Sequence, residues 1–267
     1  MFANFKTLFR LLTDADFRRR RRESARLHGL PRYQLTTTTL FGKTLKLPDA
    51  ASYLSTVSEV IEREIYRFAC SEPAPRIIDG GANIGLSVIY FKRIFPNARV
   101  TAFEPDPAIY RILSANLASF GFDDVELIDK ALWKSECELS FWSEGADAGR
   151  LGEAVFPDRR RTVSTVRLRD YLTDHVDLLK LDVEGAETEI LRDCADRLGN
   201  VERVFVEYHS FSDRSQTLHT LTGILADAGF RLHLTPVMTS PQPFWDLRTQ
   251  LGMDNQLNIY GVRRCTS

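Results

Sequence analysis

Ile77-Ile78-Asp79-Gly80-Gly81-Ala82-Asn83-Ile84-Gly85 is the stretch on which the reading of this chain turns. A short apolar run ends in an acid, a glycine-rich bend follows, and Ile84 to Ile94 then carries a helical apolar pattern. Strand, tight bend and helix in that order form the unit a nucleoside-binding loop requires. Glycine lets the backbone turn sharply, and Gly85 falls where the helix must pack close to the sheet.

Downstream the same rhythm repeats. Strand patterns at Arg99–Phe103, Val125–Asp129, Val176–Asp182 and Arg203–Tyr208 alternate with helical patterns at Pro107–Phe120, Glu187–Leu198 and Leu218–Ala228. Phe230–Leu234 and Leu257–Val262 close the series, and Glu138–Trp142 and Val163–Val166 read as extra strands. The expected fold is α/β, doubly wound, with a mostly parallel sheet covered on both faces. Ligands of such sheets bind at the carboxyl ends of the strands, beside the point where strand order reverses.

Upstream of Arg76 that rhythm is absent, which predicts an N-terminal helical and hairpin extension over 1–74 and a ligand-binding domain over 75–267. Phe2, Phe5, Phe9 and Leu12 fit one helical face, and Arg18-Arg19-Arg20-Arg21-Arg22 follows. That segment reads as a packing helix with a solvated charged turn; peripheral contact with a membrane or glycolipid is the alternative. Thr36–Lys43 reads as a hairpin and Ala51–Phe68 as a helix.

The bulk numbers add exclusions. The 267 residues carry 35 Lys and Arg against 36 Asp and Glu, so no global field draws the protein to nucleic acid. Cys70, Cys137, Cys194 and Cys265 form no C-x-x-C pair, which disfavours a zinc or disulfide framework. No apolar run is long enough to span a bilayer, and the expected location is the cytoplasm.

The chemistry sits just after the strands. Ala82 replaces the middle glycine of a dinucleotide fingerprint, and Asp79 would repel a diphosphate while attracting an ammonium. Gly80, Gly81, Asn83 and Gly85 of this loop therefore favour S-adenosylmethionine over a nicotinamide dinucleotide. Glu104 ends the second strand 19 residues after Gly85, at the spacing of a ribose-binding acid. Asp129 ends the third and could accept from an adenine amino group. After the fourth strand, Asp182, Glu184 and Glu187 crowd within six positions, with Lys180 on the side of Asp182 to offset them. Glu207 and His209, two apart in a strand, point to one side. Asp182 is the expected general base, with His209 an alternative. Asp182, Glu207 and His209 could also hold a divalent ion that lowers the pKa of an acceptor hydroxyl.

The runs Asp79–Gly85, Phe103-Glu104-Pro105 and Leu179-Lys180-Leu181-Asp182-Val183-Glu184-Gly185-Ala186-Glu187, with Thr165–Leu172 ahead of the last, resemble the FkbM family of methyltransferases. The resemblance covers about Arg76 to Val262. It implies a Rossmann-like class I methyltransferase fold with a seven-stranded sheet whose last strand is antiparallel. It implies methyl transfer to oxygen on a sugar, a glycolipid or polysaccharide, or a secondary metabolite. It implies that Asp79, Gly81 and Glu104 hold the cofactor and that Asp182 and Glu184 face the reaction centre. The acceptor is then expected to be a small molecule or glycan, bound by the 142–161 insert and the 236–255 stretch. Phe211, Phe244 and Trp245 are candidate stacking residues, and Arg159, Arg160 and Arg161 hint at an anionic substrate. Two competing readings are an RNA methyltransferase using Arg18–Arg22 as a phosphate-binding arm and a non-catalytic cofactor-binding scaffold. Oligomerisation is compatible with either.

Overall fold

The computed structural model describes residues 15–143, 149–151 and 160–263. The Met1–Leu12 stretch, Arg159 and Cys265 lie outside the described residues. The chain starts with helix α1 (Ala15–His28), hairpin strands β1 (Thr36–Leu40) and β2 (Lys43–Leu47), helix α2 (Ala50–Val57) and a π-turn (Ser58–Glu62). The βα series follows as β3 (Arg76–Gly80), α3 (Leu86–Ile94), β4 (Arg99–Phe103), α4 (Pro107–Phe120) and β5 (Glu126–Ile128). Short strands β6 (Ala131–Trp133), β7 (Glu138–Ser143), β8 (Gly149–Leu151) and β9 (Arg160–Arg167) make a side sheet. The series then resumes with β10 (Leu178–Leu181), α5 (Glu187–Asp193), β11 (Arg203–Phe211), α6 (Leu218–Asp227), β12 (Phe230–Thr239) and β13 (Met253–Arg263).

The main sheet has seven strands in the order β12-β13-β11-β10-β3-β4-β5, with β13 antiparallel to both its neighbours. This is the doubly wound fold the sequence led us to expect. From β3 the chain runs outward through β4 and β5, then crosses back to lay β10 on the other side of β3. The strand order therefore reverses between β3 and β10, and the ligand crevice should open there.

Alternate residues of the strands feed two cores. Ile77, Val100 and Phe205 pack on one face with Val88 of α3 and Leu113 of α4. Ile78, Leu179, Leu181 and Val206 pack on the other with Ile190 of α5 and Leu221 of α6. Burial on both faces explains why β10 is apolar at Leu178, Leu179 and Leu181 rather than alternating, with Lys180 as its buried polar residue. Leu45, Leu47, Tyr53 and Tyr66 of the N-terminal segment are buried in the first core, and the Asn116 side chain clamps the backbone of Lys46. The N-terminal segment is thus packed into the sheet's helical layer.

Differences from the sequence reading have local causes. The helix expected over Ala51–Phe68 is α-helical only to Val57, then widens into the π-turn. The helix expected over Glu187–Leu198 stops at Asp193 and continues as a 3₁₀ turn, Ala195–Asn200. Strand β12 runs past Leu234 to Thr239, because Pro236 sits on an edge strand beside a register shift, where no donated hydrogen bond is needed. Arg18–Arg22 fall within α1, which docks on the hairpin through Arg26 to Thr37 O and Thr38 to Glu23. Among the described residues no helix is long and apolar enough to cross a membrane.

Candidate active site

The glycine turn after β3 is closed by its own hydrogen bonds. Gly81 and Ala82 donate their N–H groups to Phe103 O at 3.1 and 2.9 Å, Asn83 donates to Glu104 Oε2 at 3.0 Å, and Gly85 donates to Ala82 O at 2.9 Å. A loop that cradles a diphosphate must leave such donors pointing outward. This one has turned them onto the protein, which disfavours a dinucleotide and suits a cofactor without phosphate.

Two glycines answer to contacts inside the chain. A Cβ on Gly81, at φ +84°, would lie 1.9 Å from the carbonyl oxygen of Asp182. One on Gly85, at φ +93°, would lie 2.8 Å from Leu113 Cδ1. Gly85 therefore permits close packing on α4, not on the sheet as its place in the sequence implied. Gly80 is the last residue of β3, and its carbonyl accepts the N–H of Asp182 at 3.0 Å.

Asp79 is completely buried. It accepts from Ser87 and stands 2.9 Å from Lys180 Nζ, so its charge is already met within the protein. Lys180 also donates to Gly81 O at 2.9 Å and approaches Asp182 at 3.6 Å. Burial pulls the Lys180 ammonium down, but Asp79 and Asp182 outweigh it and its pKa is raised. The lysine thus joins the glycine turn to the acidic loop.

Glu104 is buried at the end of β4 and accepts from Asn83 N and from Asp106 N at 2.8 Å. Burial pushes its pKa up to about 8. The helix-capping role that competes for a residue at this turn is filled by Asp106, which accepts from Ala108 N. Among the described residues Glu104 has no ion-pair partner, and its remaining lone pairs are acceptors that fit a diol such as ribose. Asp129 is exposed just beyond β5.

The acidic loop after β10 and the end of β11 meet. His209 is buried, with Nδ1 2.9 Å from Glu187 Oε1 and Nε2 3.6 Å from Glu184 and 4.0 Å from both Asp182 and Glu207. Glu187 also accepts from Gly185 N at 2.9 Å, so one buried carboxylate fixes both the loop and the imidazole. Burial alone would lower the His209 pKa; Glu184 and Glu187 raise it well above the ordinary value. Burial pushes Glu184 up to about 8, and burial together with Asp182 pushes Glu207 up to about 8. Asp182 is only half-buried and lines a cavity of about 400 Å³.

That cavity opens at the β3–β10 switch point. Gly81, Asn83, Lys180, Asp182, Glu184 and Glu207 form its floor. Asp79, Glu104, Asp129 and His209 are not among its lining residues. One wall was not foreseen: Ser52, Thr56, Glu59 and Tyr66 come from the N-terminal segment, where no motif or period marks them. The opposite lip, Val237, Met238, Gln250 and Leu251, belongs to the 236–255 stretch expected to bind the acceptor. The other expected element, the 142–161 insert, lies largely outside the described residues. Phe211 is buried against Gly185, whereas Phe244 and Trp245 are fully exposed, and Arg161 is exposed.

Ligand atoms of Asp182, Glu207 and His209 lie within 4.8 Å of one another, a spacing a divalent ion could use. The Gln256 amide nitrogen, however, donates to Glu207 and lies 3.3 Å from His209 Nε2. Lys180 beside Asp182 and Gln256 beside Glu207 thus each supply a donor to this cluster.

The profile of the methyltransferase FkbM domain matches residues 79–232. Methyltransferase sdnD of Sordaria araneosa is 33% identical over 187 residues, covering 51% of this chain and 68% of the relative. The 31-O-demethyl-FK506 methyltransferase FkbM of Streptomyces tacrolimicus is 25% identical over 236 residues, covering 70% of this chain and 88% of the relative. The crystal structure of a methyltransferase FkbM from Methylobacillus flagellatus KT superposes with a TM-score of 0.50 at 16% identity, over 75% of this chain and 46% of that longer chain. That superposition is a likeness of fold.

Proposed function

Because this chain belongs to the methyltransferase FkbM family, we propose that it transfers a methyl group from S-adenosylmethionine to a hydroxyl oxygen of a sugar, glycolipid, polysaccharide or secondary metabolite. One observation carries the reading: the backbone of Asp182 is packed onto the glycine turn so closely that only glycine fits at 81, and Asp182 lies on the floor of the cavity. The substrate in the name of the Streptomyces relative, a 31-O-demethyl compound, supports oxygen as the target atom.

The donor, when bound, supplies an electrophilic methyl group on a sulfonium. The chain's residues do the rest. Glu104 accepts from the ribose hydroxyls. Asp182 takes the proton of the acceptor hydroxyl as its oxygen attacks. Lys180, held by Asp79 and the Gly81 carbonyl, fixes where that carboxylate stands. His209 lies behind the carboxylates with Nδ1 committed to Glu187, so it balances their charge rather than reaching the acceptor.

The test is isothermal titration with S-adenosylmethionine, then incubation with methyl-labelled donor and an extract of the source organism. Binding and a labelled product are expected. Asp182→Ala should lose transfer by at least about 100-fold while keeping donor affinity within a few-fold. Wild-type turnover in that variant would remove Asp182 from the mechanism, and no heat with the donor would remove the assignment.

A further inference from the structure

Both lips of the cavity lie outside the stretch 79–232 that the family profile matches. The N-terminal lip depends on the π-turn. Arg63 donates its N–H to Ser58 O at 2.9 Å, five residues back, and the widened turn presents Glu59 and Val60 to the cavity. Glu59 is close enough to act electrostatically on Tyr66 and on Glu207 across the space.

Carboxyl groups outnumber basic groups among the described residues that line this cavity. Glu59, Asp182, Glu184 and Glu207 line it. Asp49 lines it too, but its carboxylate is taken by Ser52 N, Tyr33 N and Arg32. Among the described residues that line the cavity, Lys180 is the one cation, and Asp79 and Asp182 already match it. Arg63 pairs with Glu59 but is largely exposed and is not a lining residue. Glu59 can therefore turn from Arg63 to a ligand at little cost.

An anion on the acceptor would enter a space with several carboxyl groups and, among the described lining residues, no unmatched cation. One carboxylate about 5 Å away, at the effective dielectric of a partly buried site, disfavours it on the order of 100-fold. A hydroxyl or an ammonium meets acceptors on every side. Resting on the methyl-transfer reading above, we infer that the methylated part of the acceptor is a hydroxylated unit that is uncharged or carries an ammonium. It bears no phosphate, sulfate or carboxylate, and Glu59 is a specificity-determining residue for that choice. Arg161 is exposed and is not among the lining residues.

The experiment incubates the 267-residue chain with methyl-labelled S-adenosylmethionine and a metabolite extract of the source organism, then locates the methyl group and the charged groups of the product by tandem mass spectrometry. The methylated residue is expected to carry no acidic group. A phosphate, sulfate or carboxylate on that residue overturns the inference. In parallel, Glu59→Arg should raise the ratio of anionic to non-anionic labelled products at least tenfold, with Glu59→Gln intermediate. An unchanged ratio in folded Glu59→Arg protein removes Glu59 from the choice. If donor-binding wild type labels nothing, the methyl-transfer reading itself fails, which is a different result from labelling the wrong charge class.

Discussion

Gly81 and Gly121 give a controlled test of what the turn after β3 is for. Both have left-handed backbone, at φ +84° and φ +76°. Alanine in that region costs roughly 1–2 kcal/mol at either position. At Gly121 the new methyl group meets nothing within 4 Å, so that is the whole effect. For a chain of this size it lowers Tm by about 2–8 °C. At Gly81 the same methyl group would stand 1.9 Å from the Asp182 carbonyl oxygen. Backbone cannot swing away as a side chain can, so β3 and β10 must part at their carboxyl ends. Overpacking of that kind adds about 1–3 kcal/mol. Weakening the bond from Asp182 N to Gly80 O adds about 1 kcal/mol more. Gly81→Ala should therefore cost about 3–6 kcal/mol, two to three times the control. Thermal melts followed by circular dichroism measure the first quantity, and titration with S-adenosylmethionine measures the second. Donor affinity should fall in Gly81→Ala and hold in Gly121→Ala. Equal melting points and equal affinities in the two variants would refute the claim that Asp182 is positioned by the absence of a side chain at 81.

Lys180→Met leaves Asp79 and Asp182 without their cation in a buried setting and should destabilise by about 3–5 kcal/mol; adding Asp79→Asn should recover part of that in a double-mutant cycle. The ligand-free protein should lose stability as pH rises from about 5 to 8. Glu104, Glu184 and Glu207 have folded pKa values raised to about 8 and His209 is raised too, so each stabilises the fold while protonated and loses that contribution as it deprotonates. Groups with lowered pKa, such as Asp49 and Asp177, act in the opposite sense, but only as pH falls below their ordinary range. Melts at four pH values check this, Glu104→Gln should flatten the slope, and a wild-type Tm that climbs across the window would contradict it. Deleting residues 1–69 uncovers the core face that Leu45, Leu47, Tyr53 and Tyr66 cover. At roughly 1.5–3 kcal/mol per side chain the loss approaches a whole domain's stability, so a cooperatively melting 70–267 fragment would show the segment to be dispensable.

The parts of the site that were legible in the sequence are those whose residue type follows from local geometry. The turn at Gly81 demands glycine, a strand end demands a group that projects into the crevice, and period-two spacing puts Glu207 and His209 on one face. What was not legible depends on which segments meet. Glu187 could be read as one of three clustered acids, yet its partnership with His209 joins residues 22 apart and exists only once α5 packs beside β11. Glu59 carries no signal at all, since a π-turn has no sequence period of its own and its neighbour across the cavity is Glu207. Asp79 was read as the feature that meets a cationic ligand. Its neutralisation by Lys180 follows from the apposition of β3 and β10, because Lys180 lies directly opposite Asp79 in the register. Pro236 hid the second half of β12, because a proline is a strand breaker everywhere except at an edge.

The two sides of the crevice are therefore specified in different ways. On the donor side, backbone N–H groups of the glycine turn bond to Phe103 and Glu104, and the turn touches the backbone of Asp182. The contact at Gly81 tolerates glycine alone, so the turn cannot change there without loss of the fold at the switch point. On the acceptor side, the walls are Ser52 and Thr56 of α2, Glu59 of the π-turn, and Val237 and Met238 of the edge strand β12. Side chains there can change size and charge while the sheet stays as it is. The glycine turn is thus tied to the fold and the side chains of the lips are not, which is how a profile of the shared domain can stop short of both lips and still contain Asp182 and Glu184.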